Sequence, residues 1–321
     1  MLDVIVDLIN KSETIAILPH VSADGDALGS SLALAIVLSG SGKKVKVLLE
    51  EEIPQVYSDL PGREFSCLYR KNDEQYNKKY DLALALDCGD AARLASRIEL
   101  FNTAARNANL DHHTTNTEFA VNNYVDTSSA ATGEIIYDLI VRMGAKPDKD
   151  VALCLYVAIT TDTGGFRYSN TTADTHRIAA ELVSEGIDVA KVSRRVFDRV
   201  SYGKVKLIGA AINSLELFEE GKIALMSLSS ELMKKLETKD EDSDGIINIA
   251  RNISGVEVAA LLKQLDSGEV KVNLRSNSYV DVSAIAASYS GGGHERAAGF
   301  TTTATLEQTK NELLADLVGE V

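Results

Sequence analysis

The sequence predicts an α/β protein in which a parallel-sheet domain with flanking helices is joined by a helical linker to a smaller mixed-sheet α/β domain. In the first part of the chain, short apolar runs typical of buried strands alternate with stretches of helical periodicity, which favours parallel strands joined by helices. Towards the C-terminus, alternating residues flank a turn, as in an antiparallel hairpin. The length of 321 residues also exceeds the usual size of one core. We therefore expect domains at 1–186 and 206–321, with the linker at 187–205.

The predicted elements of the first domain follow from these patterns. A buried strand is expected from Thr14 to Leu18, and a helix with small and apolar residues at helical spacing follows, stopping at Gly40. A cap signal at Thr127 to Ser129 predicts the start of another helix. The remaining strands are expected at 44–49, 80–86 and 108–110, and the remaining helices at 1–12, 91–100 and 150–160, with the cap-signal helix at 128–143.

The second half of the chain begins with helical patterns and continues with strands. Two helices are expected within 172–200 on either side of Gly186, and a further helix is expected to end at Phe218. Alternation around Asp266-Ser267-Gly268 predicts a hairpin. The other predicted elements are a strand at 222–228, hairpin strands at 256–265 and 270–275, and helices at 282–287 and 305–317.

Charge and composition exclude several classes of function. The net charge is -14 and no basic stripe occurs, so binding to long duplex nucleic acid through its phosphates is not expected. Any phosphate substrate is expected to be short. No apolar run approaches the roughly 20 residues that a membrane span needs, and the acidic start of the chain does not resemble a signal peptide. We therefore expect a cytoplasmic protein with no membrane partner.

Ionisable residues follow several predicted strands where each strand ends. The loop from His20 to Asp26 carries an imidazole and two carboxylates, Asp24 and Asp26, which are ordinary ligands for divalent cations. The third strand ends at Asp87, and the short strand after it ends at Asp111-His112-His113. Because ligands bind beyond the carboxyl ends of parallel strands, these groups are expected to converge. The alternative is that the aspartates only cap the following helices.

A further carboxylate, Asp162, lies at the end of a buried helix, where an unpaired charge is costly. Five carboxylates crowded on one edge would repel each other unless cations were bound. Together with the imidazoles they offer too many ligands for one tetrahedral ion, and they suit two ions bridged by a carboxylate. Oxygen-rich ligation with some imidazole favours two Mn2+ ions before magnesium, and zinc less.

The order of these motifs resembles that of the DHH phosphoesterases, and Gly291-Gly292-Gly293-His294 resembles the signature of their accessory domain, DHHA1. The likeness covers nearly the whole chain and is closest to the stand-alone nanoRNase and pAp phosphatase branch. The resemblance implies that His20, Asp24 and Asp87 hold one ion. It implies that Asp87 also serves the second ion, together with Asp26, His112 and Asp162.

The same resemblance implies the reaction and the roles of the two remaining polar residues of the third motif. His113 is expected to contact the scissile phosphate or to protonate the leaving oxygen, and Asp111 to orient the histidines. The expected reaction is two-metal hydrolysis of very short single-stranded RNA to 5'-mononucleotides, with pAp as a second substrate. The alternatives are a phosphodiesterase for cyclic di-AMP or for linear dinucleotides such as pApA and pGpG, and a non-catalytic nucleotide-binding protein.

The glycine-rich stretch has a physical interpretation of its own. Successive glycines let backbone approach a ligand closely, and their amides could form an anion nest. The candidates for substrate binding are Gly291, Gly292, Gly293, His294, Arg296 and, from the end of the hairpin, Arg275 and Ser276. The alternative is a glycine-rich turn beside a solvated arginine. A homodimer is compatible with this function, since symmetric dimers are common among soluble enzymes.

Overall fold

The computed structural model describes residues 2–71, 79–238 and 240–321 and separates into two compact units. The first unit ends at Arg199 and the second begins at Val200. Within the described residues, each unit contains its own six-stranded sheet. The first sheet is parallel and the second is mixed, as the sequence predicts.

The first unit consists of a sheet with helices on both faces. Its strands are β1 (Thr14–Pro19), β2 (Lys44–Leu49), β3 (Ser66–Leu68), β4 (Leu82–Leu86), β5 (Asn107–Asp111) and β6 (Asn122–Val125). Its helices are α1 (Leu2–Asn10), α2 (Gly25–Gly40), α3 (Ile98–Thr103), α4 (Thr132–Arg142), α5 (Lys149–Asp162), α6 (Ala173–Ser184) and α7 (Val189–Ser193). Short 3-10 turns occur at Gln55–Tyr57, Arg63–Phe65 and Ala91–Arg97, and one π turn at Arg194–Asp198.

Alternating side chains in β4 separate the two faces of this sheet. Leu82, Leu84 and Leu86 belong to the large core that includes residues of α2 and α5. Ala83 and Ala85 face the smaller core around Phe101. Successive side chains of a strand point to opposite faces, so the leucines pack in one core and the alanines in the other. Because both faces of the sheet are covered, this strand is completely buried.

The strand order of the first sheet, β3-β2-β1-β4-β5-β6, creates a crevice. From β1 the chain adds strands in one direction, and from β4 it adds them in the other direction. The connections therefore diverge between β1 and β4, and ligands bind at such a switch point beyond the carboxyl ends of the strands. The motifs after β1 and β4 lie at this position.

The second unit contains strands β7 (Glu216–Phe218), β8 (Ile223–Leu228), β9 (Val258–Gln264), β10 (Val270–Ser276), β11 (Gly292–His294) and β12 (Ala297–Thr302). Its helices are α8 (Tyr202–Asn213), α9 (Ser230–Lys235), α10 (Ile247–Arg251), α11 (Val282–Ser288) and α12 (Leu306–Val318), with 3-10 turns at Glu219–Gly221 and Asp240–Ser243. The order is β11-β12-β10-β9-β8-β7, and among the described strands of this second sheet only β8 and β9 pair in parallel. The predicted hairpin is confirmed as antiparallel β9 and β10.

The prediction of a helix ending at Phe218 is wrong. The helix ends at Asn213, and residues 216–218 form β7, with Leu217 opposite Ala224 of β8. The turn between the two strands has positive φ at three successive residues, which reverses the chain. Pairing with β8 overrides the local helical pattern, because the hydrogen bonds of a strand depend on partners outside the stretch of sequence from which a helix is predicted.

Candidate metal centre

Ionisable side chains from several elements converge at the carboxyl edge of the first sheet. His20 follows β1, Asp87 follows β4, and Asp111 is the last residue of β5. Helix α2 contributes residues of its first turn and α5 contributes its final residue, Asp162. The structure brings together the six residues expected to bind metal, which are His20, Asp24, Asp26, Asp87, His112 and Asp162.

One cluster joins His20 to two carboxylates. The Nε2 atom of His20 lies 3.6 Å from Oδ1 of Asp24 and 3.5 Å from Oδ2 of Asp87. The Nδ1 atom lies 2.7 Å from the carbonyl oxygen of Val21, which can only accept, so Nδ1 carries the proton. In the neutral ring, Nε2 therefore presents its lone pair to two carboxylates. A shared cation fits this donor set, since ligands about 2.1 Å from one ion are about 3.4 Å apart in a tetrahedral arrangement.

A second cluster is centred on His112. Its Nε2 atom lies 3.2 Å from Oδ2 of Asp162 and 3.8 Å from Oδ2 of Asp26. The same nitrogen is 3.6 Å from Oδ1 of Asp87. Asp87 therefore directs Oδ2 towards the first cluster and Oδ1 towards the second. This division of two oxygens between two clusters is one arrangement in which a carboxylate can bridge two ions.

Asp87 adopts an unusual backbone conformation, with φ of 60°. A non-glycine residue in this left-handed region costs roughly 1–3 kcal/mol and persists only where its surroundings hold it. The amide of Asp87 donates to Leu110 O over 3.0 Å, and Oγ1 of Thr132 donates to Oδ1 over 3.1 Å. The buried carboxylate is thus fixed from both its backbone and its side chain.

The carboxylate of Asp26 is held by the start of α4. It accepts from the amides of Thr132 and Gly133 over 2.7 and 2.9 Å, and from Oγ of Ser30 over 3.0 Å. The helix begins at Thr132, and its N-cap residue Ala131 makes no side-chain cap bond. A carboxylate 106 residues away in sequence therefore takes the capping place that was predicted for 127–129. A helix N-terminus also favours the negative charge.

Helix capping applies differently to the two aspartates of the loop. Oδ1 of Asp24 accepts from the amides of Asp26 and Ala27, both over 3.1 Å, so Asp24 does cap α2. The same oxygen faces His20. Capping and membership of the cluster are therefore compatible, because a carboxylate oxygen has more than one lone pair.

The pKa values in the cluster reflect crowded negative charge. Burial, and then the charges of neighbouring carboxylates, raise the pKa of Asp26 well above its ordinary value. The same two causes raise the pKa of Asp162 to about 7. Burial opposes the protonation of His20, but Asp24 and Asp87 raise its pKa to about 9. All three shifts indicate a site that favours added positive charge.

His113 is oriented by a buried carboxylate. Its Nδ1 atom lies 2.7 Å from Oδ1 of Asp111, and this contact raises the pKa of His113. Burial works against ionisation of Asp111, but bonds from His113 and Asn116 hold its pKa below the ordinary value. Nδ2 of Asn116 donates to Oδ2 of Asp111 over 2.6 Å and to Cys88 O over 3.1 Å.

Asn116 and Thr132 are functional candidates that sequence reasoning missed. Each contacts a predicted site residue from a segment without a recognisable motif. The available signal was only the presence of a short polar side chain just after a motif or in the first turn of a helix. Such residues usually serve local turns and caps, so their type alone does not indicate a role.

The glycine-rich motif forms the edge of the second sheet. Gly292 to His294 is strand β11, and it pairs with β12. A Cβ on Gly291 would lie 2.3 Å from Gly299 O, and one on Gly293, where φ is +145°, would lie 2.5 Å from Ala297 O. Two of the three glycines therefore permit close backbone contact, whereas a Cβ on Gly292 would meet nothing within 4 Å.

The register of the second sheet aligns two further candidates. Arg275 of β10 and His294 of β11 both lie opposite Ala297, so they share one row and one face. The guanidinium of Arg296 donates to Val280 O over 2.8 Å and lies 2.7 Å from Oε1 of Glu295. Ser276 is buried, and its Oγ lies 3.4 Å from Glu295 O. The predicted substrate-binding residues thus occupy one corner of this sheet.

Comparison with known proteins shows which families and proteins this chain resembles. Residues 14–159 match the N-terminal domain of the DHH family, and residues 220–320 match the DHHA1 domain. A bifunctional oligoribonuclease and PAP phosphatase NrnA from Thermus thermophilus is 32% identical over 295 residues, covering 89% of this chain and 83% of that protein. The protein of the same description from Bacillus subtilis is 27% identical, covering 98% and 96%.

A solved structure is similar over almost the full length. The crystal structure of an exopolyphosphatase-related protein from Bacteroides fragilis has a TM-score of 0.91 and 29% sequence identity. The alignment covers 98% of this chain and 94% of that one. Separately, none of the helices in the described ranges could span a bilayer.

Proposed function

This chain belongs to the DHH family, and we propose that it is a two-metal, manganese-dependent phosphoesterase that degrades very short oligoribonucleotides to 5'-mononucleotides and also dephosphorylates pAp. The phosphoesterases of this family are metal-dependent, and acidic and histidine clusters able to hold metal are present here. The names of the two NrnA relatives describe both activities for those proteins, which supports the same substrates here.

The observation that carries the proposal is the position of Asp87 between two clusters. One ion would be held by His20, Asp24 and Asp87, and the other by Asp26, Asp87, His112 and Asp162. Five of these seven contacts are carboxylates and two are imidazoles, a mixture that favours manganese over magnesium. Bound divalent cations would neutralise charge on the phosphoryl oxygens and lower the pKa of the attacking water.

The protein groups around the clusters position the substrate and handle a proton. Asp111 holds Nδ1 of His113, which leaves Nε2 of the half-exposed ring to meet the scissile phosphate or the leaving oxygen. An Nε2–H in this place can protonate the leaving oxygen as the phosphorus–oxygen bond breaks. Asn116 holds the other oxygen of Asp111, so the pair keeps its orientation.

Charge supports a short substrate. The net charge of -14 disfavours long nucleic acid, whose affinity depends on many cationic contacts. Gly291, Gly292, Gly293, His294, Arg296, Arg275 and Ser276 are proposed to bind the end of the substrate through a few local groups. We also propose that the enzyme works in the cytoplasm and as a homodimer, the commonest symmetric assembly.

A substrate panel tests this function. The protein is incubated with Mn2+ and with pApA, pGpG, pAp, cyclic di-AMP or a 24-mer RNA, and the products are separated by chromatography. We expect mononucleotides from the linear dinucleotides and AMP from pAp. Rapid cleavage of the 24-mer without action on dinucleotides would exclude the proposal, and turnover of cyclic di-AMP alone would favour the alternative of a cyclic di-AMP phosphodiesterase.

A further inference from the structure

The segment after Asp162 winds back over the end of α5. Gly164, Gly165 and Phe166 all have positive φ, at 58°, 71° and 64°. The carbonyl oxygen of Thr163 then accepts from the amides of two later residues, Arg167 and Tyr168, over 2.9 and 3.0 Å. Three successive left-handed residues turn the chain sharply, and this conformation is uncommon for a residue such as phenylalanine.

This turn sends one ring inwards and two side chains outwards. Phe166 stacks on His176 with ring centroids 5.2 Å apart and lies 6.0 Å from the ring of Tyr156. Arg167 and Tyr168 are both exposed, and the exposed fraction of Tyr168 is 51%. The inward ring anchors the turn, so the two outward side chains project from a fixed backbone.

The ring of Tyr168 lies with one face on Gly164. A Cβ built on Gly164 would lie 2.3 Å from Cζ and 2.6 Å from each Cε of that ring. Near-equal distances to both Cε atoms place the glycine over the ring rather than beside its edge. Gly164 therefore covers one face of the ring, while the residue as a whole stays 51% exposed. A held aromatic ring with accessible area is a stacking surface for a base.

Arg167 is fixed to the same glycine. Its Nε donates to Gly164 O over 2.6 Å, which orients the planar guanidinium. Within residues 2–71, 79–238 and 240–321, its terminal nitrogens have no hydrogen-bond or ion-pair partner. A guanidinium with free terminal N–H groups matches the geometry of a phosphate. It is also a local cation on a chain whose net charge is -14.

Both side chains contact Gly164, which is close in sequence to the candidate metal centre. Gly164 is two residues beyond Asp162, and consecutive Cα atoms are about 3.8 Å apart, so their Cα atoms lie within about 7.6 Å. Nδ2 of Asn170 donates to Asp162 O over 3.1 Å and to Ala130 O over 3.0 Å. The segment that carries Arg167 and Tyr168 therefore begins and closes at a residue of the metal cluster.

We propose that Arg167 and Tyr168 form a nucleotide-binding subsite, in which the guanidinium pairs with a phosphate and the ring stacks on the attached base. This inference rests on the proposed function and names a substrate contact for it. The residues of the subsite belong to the first unit, whereas the glycine-rich motif belongs to the second. It selects ligands that carry both a phosphate and a base.

Equilibrium binding separates the contribution of the base from that of the phosphate. Affinities for AMP and ribose 5-phosphate are measured by calorimetry with the Mn2+-loaded protein. Tyr168→Leu is expected to weaken AMP binding by about 5- to 150-fold, the range for loss of one stacked base, and to leave ribose 5-phosphate unchanged. Tyr168→Phe should retain the affinity for AMP. Tyr202→Leu removes another exposed tyrosine and should change neither ligand.

The guanidinium is tested with the same two ligands. Arg167→Gln is expected to weaken AMP and ribose 5-phosphate to a similar extent, by about fivefold or more, because both carry the phosphate. Arg142→Gln makes the same change in net charge on an exposed helix and should leave both affinities unchanged.

Two results would overturn the subsite. One is a wild-type protein that binds AMP no more tightly than ribose 5-phosphate, and the other is a Tyr168→Leu variant with unchanged affinity for AMP. These outcomes differ from failure of the proposed function. A protein that hydrolyses no dinucleotide but shows the expected binding differences loses the proposed activity and keeps the subsite.

Discussion

The metal cluster of the first unit depends on side chains, whereas the glycine-rich hairpin of the second, formed by β11 and β12, depends on their absence. In the cluster, the groups proposed to carry the chemistry are buried side chains such as Asp87 and Asp26, and distant segments hold them. In the hairpin, Gly291 and Gly293 contribute by lacking side chains, which lets two strands approach closely. The cluster depends on tertiary contacts over more than 100 residues, whereas the hairpin depends on neighbours within ten residues.

This difference predicts how each region responds to mutation. Like charges in a cluster repel each other until cations bind, so the cluster itself adds little to the stability of the fold. Changes there should therefore alter metal binding and turnover more than folding. A close strand contact contributes to packing, so changes there should alter stability unless the position is open. The following tests probe this contrast from the largest expected effect to the smallest.

Replacing the shared carboxylate should have the largest effect. Asp87→Ala removes an oxygen from each cluster, so we expect metal binding and turnover to fall together, by more than the roughly 10–100-fold that loss of an outer partner costs. Calorimetry with Mn2+ and initial rates with pApA measure the two quantities. Asp3→Ala, an exposed control, should match wild type. If the wild type itself shows no turnover and the variant keeps its nucleotide affinity, the chain is a binding protein.

Removing the hydroxyl that holds Asp87 should have the next largest effect. Thr132→Val preserves the shape of the side chain but deletes the donor to Oδ1, and we expect affinity for Mn2+ to fall by about 10–100-fold. Thr132→Ser is the matched control, since it retains the hydroxyl and should restore the affinity. Equal Mn2+ affinity in all three proteins would show that this bond does not position the carboxylate.

Substitutions in the glycine-rich hairpin should distinguish glycines needed for packing from a glycine that could contact a ligand. Gly291→Ala places a methyl group against Gly299 O and the Phe300 side chain, so the free energy of unfolding should fall by about 1–3 kcal/mol. Gly292→Ala enters open space and should leave stability unchanged. Denaturant unfolding measures both. A loss of AMP affinity in a stable Gly292→Ala protein would support the backbone as a phosphate contact, and equal destabilisation of both variants would contradict the contrast.

The pH dependence of the metal-free protein should be the smallest effect. The folded pKa of Asp162, about 7, exceeds its ordinary 3.8, so the unfolded state binds fewer protons and stability falls as pH rises between these values. The raised pKa of His20, about 9, contributes stability that is complete below 6.5 and is lost as pH rises through 9.

The melting temperature after chelation should therefore decrease from about pH 4 to pH 9, and Mn2+ should restore it at pH 8. Asp162→Asn should flatten the part between pH 4 and 7. A melting temperature that rises across this range in the chelated protein would contradict the crowding of charge at the cluster.

Local patterns predicted much of the first unit and its site. Apolar runs that end in polar residues identified the strands preceding His20, Asp87 and His112, because the end of a buried strand is visible as a change of composition. The parallel sheet followed from alternating strands and helices. The predicted convergence at the sheet edge is borne out by the distances between the side chains.

Residues that act through distant partners were not predictable in this way. Ala131 is a poor cap by type, and only the structure reveals that Asp26 fills its place. The cap signal at Thr127 to Ser129 therefore predicts a start for α4 that is too early, since the helix begins at Thr132. The local pattern predicts a helix as far as Phe218, because its strand partner, Ile223, lies beyond a turn with unusual φ values.

The sequence by itself determined which residues are candidates for the chemistry, because residue type and strand ends are local properties. The tertiary structure decided how Asp87 divides its oxygens between two clusters and which groups hold it there. It also decided that Arg167 and Tyr168 are fixed on Gly164 beside Asp162. These arrangements depend on backbone conformation and on contacts between distant segments, and neither is encoded in the spacing of residues along the chain.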